Sequence, residues 1–395
     1  MFPVFYLKKS NIMVILKQLT TKASLLTLFM ILSFLNGFAQ SDDESNGVYH
    51  ELNSKKIWKM LDADNNQQFT QDENKRNWRR YKRYDTNKDA VVTHEEFTSN
   101  FKSSYLKTEG KRKLNVLYKT TKEEDLYLDI YYPKNIKEEE KLPVVVYTHG
   151  GGWANGSRHG ASNASFKTIH LALLEKGFCV VSVSYRLVAE KQKGTTAMRD
   201  CVIDCKDALR YLSKHSEALG IDKNRFNSFG DSAGGHLAQM LLLSSSDNLL
   251  GDEDLAKYSY KMVAGVSWYG PCDFEDMSLF NHDDRPNFRD RFGPRILMKN
   301  TKKEDVLPLY REMSPINYLT KSSPPLLMLQ GDSDTTIPVK HAYYMEEINK
   351  KVKAPVTIKI VKNAGHNWRK VGDDINPTRD EIVQTTIDFL VSHLK

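Results

Sequence analysis

The chain has 395 residues, which at roughly 100–200 residues per domain is enough for two or three domains. It is 40% hydrophobic and 27% charged, which excludes a disordered or collagen-like chain, and its four cysteines are too few for a disulfide framework. The formal charge is +7, but residues 1–39 hold four lysines and no acid, so the remainder carries 53 basic against 50 acidic residues. So small an excess argues against binding to nucleic acid through phosphate-directed charge.

Residues 1–39 have the features of an export signal. Lysines precede an apolar run at 23–35, and small residues stand at the −3 and −1 positions of a cut after Ala39. The run is short for a bilayer span, which needs about 20 residues. We therefore expect a signal peptide whose removal leaves Gln40 first, and a secreted or periplasmic protein with no stable membrane span. The alternatives are an uncleaved anchor and a true start at Met13.

Two twelve-residue loops, 62–73 and 85–96, lie within the segment 48–105. Each has oxygen-bearing side chains at positions 1, 3, 5 and 9, an apolar residue at position 8 and Glu at position 12. Calcium takes about six to eight oxygen ligands, and this spacing folds them around one point. Apolar residues recur at helical spacing on the flanks. The candidate calcium ligands are Asp62, Asp64, Asn66, Gln68, Glu73, Asp85, Asn87, Asp89, Val91 and Glu96.

This segment, and only this segment, resembles the closely spaced EF-hand pair of exported bacterial proteins. Position 6 is Gln67 in the first loop and Ala90 in the second, where the EF-hand pattern has Gly. A left-handed backbone there costs a residue with a Cβ roughly 1 kcal/mol or more, so we expect weakened calcium affinity. The alternative is a helical hairpin with solvated polar loops. The basic stretch 75–83 is interpreted as a solvated helix face rather than a nucleic-acid surface.

Strands and helices alternate over residues 112–395. Continuous β-branched runs at 142–148 and 178–185 indicate buried parallel strands, and 126–131 alternates as a strand with one solvent-exposed face does. Helical patterns such as 202–212 stand between the strands. The sequence therefore predicts an α/β fold with helices on both faces of a mostly parallel sheet. Further strands are predicted at 226–229, 263–268, 326–330 and 357–361.

A Gly-x-Ser-x-Gly sequence at 230–234 lies between a short predicted strand and the apolar helix 237–243. In that setting the turn is tight, so the positions beside the serine must lack clashing side chains, and the Ser232 hydroxyl is lifted clear of the sheet. Ser232 is therefore the candidate nucleophile.

A glycine run, His149 to Trp153, follows the predicted strand 142–148. The N–H groups of Gly151 and Gly152 could donate to an oxyanion, with the N–H of Ala233 as a third donor. The alternative interpretation is a phosphate-binding loop, but the run lacks the Lys-Ser/Thr ending of such a loop. We therefore favour an oxyanion hole.

A serine nucleophile needs a base held by a carboxylate, and in an α/β-hydrolase the chain order is Ser, acid, His. Asp332 and Asp334 compete as the acid; Asp334 is preferred because it fits a Gly-x-x-Asp-x-x-Val/Ile-Pro pattern. His366, in a loop before the final helix, is the predicted base. His341 and His393 lie on predicted helices and are interpreted as surface or packing residues, and His236, which follows the serine turn, is interpreted as a structural residue at a helix start. This chemistry needs no cofactor, so any calcium would be structural or would serve docking.

Motifs throughout residues 115–395 are similar to those of the bifunctional acetylxylan/feruloyl esterase-like (BD-FAE-like) group, a neighbour of the hormone-sensitive-lipase-like esterases. The motifs are His149–Trp153, Gly156-Ser157, Ser184–Arg186, 200–212, 219–222 and 230–238. The resemblance implies an α/β-hydrolase fold and hydrolysis of carboxylic esters, such as acetyl or feruloyl groups on polysaccharide. The polar stretch 276–311 departs from a minimal pattern and is expected to form a cap-like insertion.

Two other functions are compatible with these motifs. One is a prolyl-oligopeptidase-like serine peptidase, which has the same order of catalytic residues, although the segment before the hydrolase is too short for the propeller domain of such enzymes. The other is a non-catalytic binding protein on a hydrolase fold, although here every candidate catalytic residue is present.

Overall fold

The computed structural model describes residues 54–394, apart from 56, 74, 101–104, 138–140, 189–195 and 284–291. The predicted export signal at 1–39 lies outside the described residues, as do parts of the segment 48–105 and of the insertion 276–311.

A small helical unit with a two-stranded ladder comes first. Residues 57–61 are helical, and β1 (Gln68–Thr70), α1 (Lys75–Tyr81), β2 (Val91–Thr93) and α2 (His94–Asn100) follow. The two strands pair antiparallel, so that the eighth positions of the two loops lie opposite each other. Both of those residues are fully buried in an aromatic-rich cluster that holds the unit together. The cluster contains Trp58, Leu61, Phe69, Trp78, Tyr81, Tyr84, Val92 and Phe97.

The main sheet has eight strands in the order β10-β9-β8-β7-β5-β6-β4-β3. Strand β4 runs opposite to the other seven and pairs antiparallel with both β3 and β6. The remaining neighbours, β10-β9-β8-β7-β5-β6, pair in parallel. The strands are β3 (Arg112–Thr120), β4 (Asp125–Tyr131), β5 (Leu142–Thr148), β6 (Cys179–Val183), β7 (Ile221–Asp231), β8 (Met262–Trp268), β9 (Leu326–Gly331) and β10 (Val356–Val361). A short hairpin, β11 (Ala364–Gly365) and β12 (Arg369–Lys370), follows.

Helices cover both faces of this sheet, as predicted. They are α3 (Ala164–Glu175), α4 (Met198–Lys214), α5 (Ser216–Leu219), α6 (Ala233–Leu243), α7 (Glu253–Ala256), α8 (Gly293–Ile296), α9 (Lys303–Met313), α10 (Lys340–Val352) and α11 (Arg379–Ser392). On β5, Val146 belongs to the hydrophobic cluster that contains Leu209 of α4, whereas the ring of Tyr147 lies 5.3 Å from Phe166 of α3. Because successive strand residues point to opposite faces, α3 and α4 lie on opposite sides of the sheet.

The prediction that strand 126–131 has one solvent-exposed face is wrong at Asp129, which is fully buried in β4. Its Oδ1 accepts hydrogen bonds from Arg158 Nε at 3.0 Å and from the Asn115 N–H at 2.9 Å. A buried carboxylate is tolerated when it is paired in this way. Alternation of polar and apolar residues therefore marks a strand here without marking an exposed face.

The described parts of the insertion 276–311 are a short turn at Met277–Phe280, α8 and most of α9. No helix in the part of the chain that the structure describes is long and apolar enough to span a bilayer.

The candidate catalytic residues and the glycine run all follow carboxyl ends of parallel strands. The glycine run follows β5, Ser232 follows β7, Asp334 follows β9 and His366 follows β10. Carboxyl ends of parallel strands lie at one edge of a sheet, where open α/β folds bind ligands. The topology therefore collects residues that are far apart in sequence.

Candidate active site

Three side chains form a continuous hydrogen-bonded chain at this edge. Ser232 Oγ lies 3.0 Å from His366 Nε2, and His366 Nδ1 lies 2.7 Å from Asp334 Oδ2. The Asp334 side chain is fully buried, the His366 side chain is 16% exposed, and Ser232 is half-buried. A hydroxyl next to an imidazole that is held by a carboxylate is the arrangement of an activated nucleophile.

The turn that carries Ser232 is built by close backbone contacts. Ser232 has φ +54°, a strained value for a residue with a side chain. A Cβ on Gly230 would lie 2.2 Å from the Gly234 carbonyl oxygen, and one on Gly234 would lie 2.0 Å from the Thr148 carbonyl oxygen. Both positions therefore require glycine, and the turn packs directly on the end of β5.

Asp334 is fixed by donors on both carboxylate oxygens. Besides the His366 ring nitrogen, Gln330 Nε2 approaches Oδ2 at 3.3 Å. The N–H groups of Thr336 and Ile337 donate to Oδ1 at 2.8 and 3.0 Å. With the His366 ring nitrogen these make four hydrogen-bonding groups, which set the orientation of the carboxylate toward the imidazole.

Asp332, the competing candidate acid, lies elsewhere. Its Oδ1 accepts a hydrogen bond from Ser333 Oγ at 2.9 Å, and its Oδ2 is 3.8 Å from Lys362 Nζ. The structure therefore places Asp334, rather than Asp332, against His366.

The loop that carries His366 is held by aromatic packing and by one arginine. The ring of Tyr269 lies 4.7 Å from the imidazole and 4.7 Å from Trp368. Arg379 Nη2 donates to the Trp368 carbonyl oxygen at 3.0 Å. Asn367 and Trp368 both have positive φ, so the turn after His366 is itself strained. These contacts limit the movement of the imidazole relative to the serine.

The glycine run lies next to the serine turn. Gly151 has φ +121° and Gly152 has φ +63°, and both values favour glycine. The N–H of Gly150 donates to Asp231 Oδ1 at 3.0 Å. Within the described residues no acceptor takes the N–H of Gly151, Gly152 or Ala233. These three N–H groups are therefore available to a bound oxyanion.

Asp231, which sequence reasoning did not single out, ties the run to the serine turn. It is 8% exposed, and its Oδ1 accepts from both Gly150 N–H and the Tyr147 hydroxyl at 3.0 Å. Burial raises the pKa of this carboxyl to about 6. The only sequence signal was its position directly before Ser232.

The loops of the small unit adopt turns that match their ligand spacing. The position-6 residues Gln67 and Ala90 have φ +65° and +66°, so the sharp turn forms despite their side chains. In the first loop, Asp62 Oδ2 accepts the Gln67 N–H at 3.1 Å, while the buried Asp62 Oδ1 has no hydrogen-bond partner. That oxygen is the kind of group that a cation would satisfy.

In the second loop Glu96 turns back into the loop. It accepts the N–H groups of Thr86 and Thr93 at 3.0 Å each, and the hydrogen bond from Thr93 is the main cause that lowers the pKa of Glu96 to about 2. No group of three or more His, Cys, Asp or Glu side chains that could hold a metal ion occurs in the described part of the chain. The predicted calcium sites are therefore not supported as clusters of such side chains. The candidate ligands also include amide and main-chain oxygens.

Comparison with known proteins identifies the family. The sequence profile of the BD-FAE family matches residues 128–348, more than half of the chain, so the chain belongs to that family. The match includes Ser232, Asp334 and the glycine run and ends before His366.

Two curated relatives come from Mycobacterium tuberculosis. Esterase LipC is 27% identical over 61% of this chain and 56% of its own length, and a protein named probable carboxylic ester hydrolase LipM is 26% identical over 58% and 50%. The chain thus spans about half the length of these relatives. Their names indicate the class of carboxylic ester hydrolases.

Solved structures agree on the fold. The native form of Thermogutta terrifontis esterase 2 has a TM-score of 0.57 at 23% identity and covers 74% of this chain and 96% of its own. A truncated carbohydrate esterase from gut microbiota has a TM-score of 0.56 at 23% identity over 74% and 99%. At this identity the likeness establishes the α/β-hydrolase fold alone.

The raised pKa of Asp231 predicts a pH-dependent effect of Asp231→Asn on stability. An acid whose pKa is higher in the folded chain binds its proton more tightly when folded, so its ionisation opposes folding. As the pH rises from about 4, the ordinary pKa of Asp, to about 6, the parent should therefore lose unfolding free energy relative to Asp231→Asn. Above about pH 7 the difference should be constant.

Urea denaturation of both proteins across this pH range measures the difference, and the exposed Asp388→Asn is the control for removing a carboxylate. A difference that is the same at every pH would contradict the account of Asp231.

Proposed function

We propose that this protein is a serine carboxylic ester hydrolase in which Ser232 is the nucleophile, His366 the base and Asp334 the acid. The observation that carries the proposal is the unbroken hydrogen-bonded chain from Ser232 Oγ through His366 to Asp334. Membership of the BD-FAE family and the esterase names of the relatives favour ester chemistry.

In the first half-reaction His366 Nε2 takes the proton of Ser232 Oγ as that oxygen attacks the ester carbonyl carbon. Asp334 keeps the Nδ1–H of His366 directed toward itself and stabilises the imidazolium that forms. The tetrahedral intermediate then collapses to an acyl-serine, and His366 gives its proton to the leaving alkoxide, which departs as the alcohol. Water repeats these steps on the acyl-serine and releases the acid.

The proposed oxyanion donors are the N–H groups of Gly151, Gly152 and Ala233. Within the described residues none of them has an internal acceptor, so binding the oxyanion breaks no hydrogen bond. Each preorganised donor of this kind contributes about 10²–10³ in rate. No step in this scheme requires a cofactor.

Replacing the nucleophile or the acid should abolish turnover of p-nitrophenyl acetate. Ser232→Ala should reduce kcat by a factor of about 10⁴ or more, and Asp334→Asn should cost up to about 10⁴ because it destabilises the correct imidazole tautomer. Asp332→Asn is the matched control, since it changes an aspartate two residues away that does not contact His366. Ser232→Ala with most of the parent rate, or equal losses in the two aspartate variants, would reject this assignment.

We propose further that the substrates are short-acyl esters, such as acetyl or feruloyl groups on carbohydrate. The support is the family match together with the motif resemblance to acetylxylan/feruloyl esterases. The described N–H donors suit any carboxylic ester, so the acyl and alcohol specificity rests on this likeness.

A panel of acetylated xylan, methyl ferulate, p-nitrophenyl acetate and a peptide anilide tests the substrate class. We expect Ser232-dependent turnover of the esters, a higher kcat/KM on acetylated xylan or methyl ferulate than on p-nitrophenyl acetate, and no cleavage of the anilide. Cleavage of the anilide in preference to the esters would favour a peptidase, and the absence of any turnover would favour a binding protein.

We also propose that the segment 48–105 is an EF-hand pair that holds calcium, beside a hydrolase domain at 112–395. The unpartnered, buried Asp62 Oδ1 and the loop turns at Gln67 and Ala90 fit such a site. The candidate ligands predicted for the two loops would hold the ion, which would link each loop to the helix that follows. Its contribution would be to stability.

Calcium should raise the thermal unfolding midpoint of the full chain, and magnesium should have a smaller effect. Asp62→Asn and Asp85→Asn should each reduce the calcium-dependent rise because each replaces the charged first ligand of its loop with a neutral amide. Asp72→Asn, which removes a nearby exposed carboxylate outside the ligand positions, is the control. The same midpoint with millimolar calcium and with chelator would exclude calcium binding.

We also propose that residues 1–39 are an export signal. Its removal would leave Gln40 as the first residue of a secreted or periplasmic protein. An ester substrate, rather than nucleic acid, would be its partner there.

A further inference from the structure

A buried hydrogen bond joins the end of the glycine run to the helix that follows the serine. The indole Nε1–H of Trp153 donates to His236 Nδ1 at 3.2 Å, and His236 Nε2 lies 2.8 Å from the Met313 carbonyl oxygen. Trp153 is 1% exposed and His236 is fully buried. Their rings meet edge to face with centroids 5.3 Å apart.

The chemistry of the two partners fixes the state of His236. An indole N–H can only donate and a carbonyl oxygen can only accept, so Nδ1 must be unprotonated and Nε2 must carry the proton. Burial lowers the pKa of His236 to about 4, so the ring is neutral at neutral pH. Each ring nitrogen therefore has one fixed role, and the imidazole acts as a rigid spacer.

This bond complements a second tie at the other end of the run. Trp153 directly follows Gly152. The main-chain N–H of His236 donates to the Ser232 carbonyl oxygen at 3.0 Å. At the start of the run, Gly150 N–H donates to Asp231 Oδ1, and Asp231 directly precedes Ser232. The N–H groups of Gly151 and Gly152 thus lie between two hydrogen bonds to the segment that carries the nucleophile.

We propose that Trp153 and His236 are positioning residues that hold the oxyanion donors of the glycine run at a fixed place relative to Ser232 Oγ. This inference rests on the proposed ester hydrolysis. Neither side chain touches the reacting atoms. Their effect is on the position of the Gly151 and Gly152 N–H groups, and small misplacements of such groups cost much of the rate.

The same pair contacts one residue inside the predicted cap-like insertion, 276–311, and two residues just outside it. Met313, whose carbonyl accepts from His236, is the last residue of α9, and the rings of Phe274 and Phe292 lie 5.9 and 5.5 Å from Trp153. The position of the glycine run is therefore coupled to the packing of Phe292 in the insertion and of Phe274 and Met313 beside it. This coupling gives the insertion a route to influence the rate as well as substrate choice.

Trp153→Phe tests the proposal because it removes the indole N–H and keeps an aromatic ring. We expect kcat on p-nitrophenyl acetate to fall by about ten- to a hundredfold with little change in KM, because oxyanion stabilisation is needed only in the transition state. His236→Leu, which has neither donor nor acceptor, should act similarly. His236→Gln, which keeps one acceptor and one donor, should restore part of the rate.

Tyr118→Phe is the matched control for losing one buried hydrogen bond. The Tyr118 hydroxyl donates to the Ser184 carbonyl oxygen at 2.8 Å. Tyr118→Phe therefore leaves that acceptor unpaired in the core, just as Trp153→Phe leaves His236 Nδ1 unpaired. It should lower the unfolding midpoint without lowering kcat. Comparing the midpoints of all variants separates loss of stability from loss of rate.

The double variant Trp153→Phe/His236→Leu provides a second, independent measurement. If the two residues act through one hydrogen bond, its kcat should be no lower than that of the worse single variant. Multiplicative losses, or a parent-like kcat in Trp153→Phe, would overturn the proposal. The comparison requires that the parent protein turns over the ester and that Ser232→Ala does not. If the parent shows no such Ser232-dependent turnover, the proposed function itself is rejected.

Discussion

The contact between the serine turn and the end of β5 is the constraint on which the site depends. Thr148 Oγ1 donates to the Gly234 carbonyl oxygen at 2.8 Å, and the Thr148 carbonyl oxygen occupies the space that a Cβ of Gly234 would need. The glycine run, His149 to Trp153, begins directly after Thr148, so the turn and the run start from one point of contact. A shift of either would move Ser232 relative to the N–H groups of the glycine run.

The sheet fixes the positions of the other candidate catalytic residues, because only short loop segments separate them from the strands. The glycine run, Ser232 and Asp334 stand within a few positions of the ends of buried strands that are paired on both sides, whereas His366 follows the edge strand β10, which pairs with β9 alone. Asp334 then receives four donors, and the His366 loop is packed against Tyr269 and held by Arg379. Preorganisation of this kind places the reorganisation energy in folding rather than in the reaction.

Much of this arrangement could be predicted from local sequence patterns. The strand 142–148 was predicted with its observed bounds, because a fully buried parallel strand is a continuous apolar run. Such runs predicted an α/β sheet with helices on both faces, the family resemblance implied the α/β-hydrolase fold, and the Gly-x-Ser-x-Gly spacing led to Ser232. The chain order of catalytic groups led to His366. The preference for Asp334 over Asp332 came from the family pattern, and the structure likewise places Asp334 against His366.

Contacts between distant segments could not be predicted in this way. The burial of Asp129 depends on Arg158, and the role of Asp231 depends on the Gly150 N–H, which lies 81 residues away. Trp153 and His236 were visible only as parts of two separate motifs, and nothing in either motif indicates that they share a hydrogen bond. Such pairs are created by the topology of the sheet rather than by any local pattern.

The central claim is that Ser232 is made nucleophilic by His366 and lies beside preorganised N–H donors. Mapping the attachment site of a fluorophosphonate probe on the full chain by mass spectrometry tests this claim most directly. The account predicts a single labelled residue, Ser232, and much slower labelling when His366 is replaced by Ala. An unlabelled protein, labelling at another residue, or a rate that is unchanged by loss of the imidazole would contradict it.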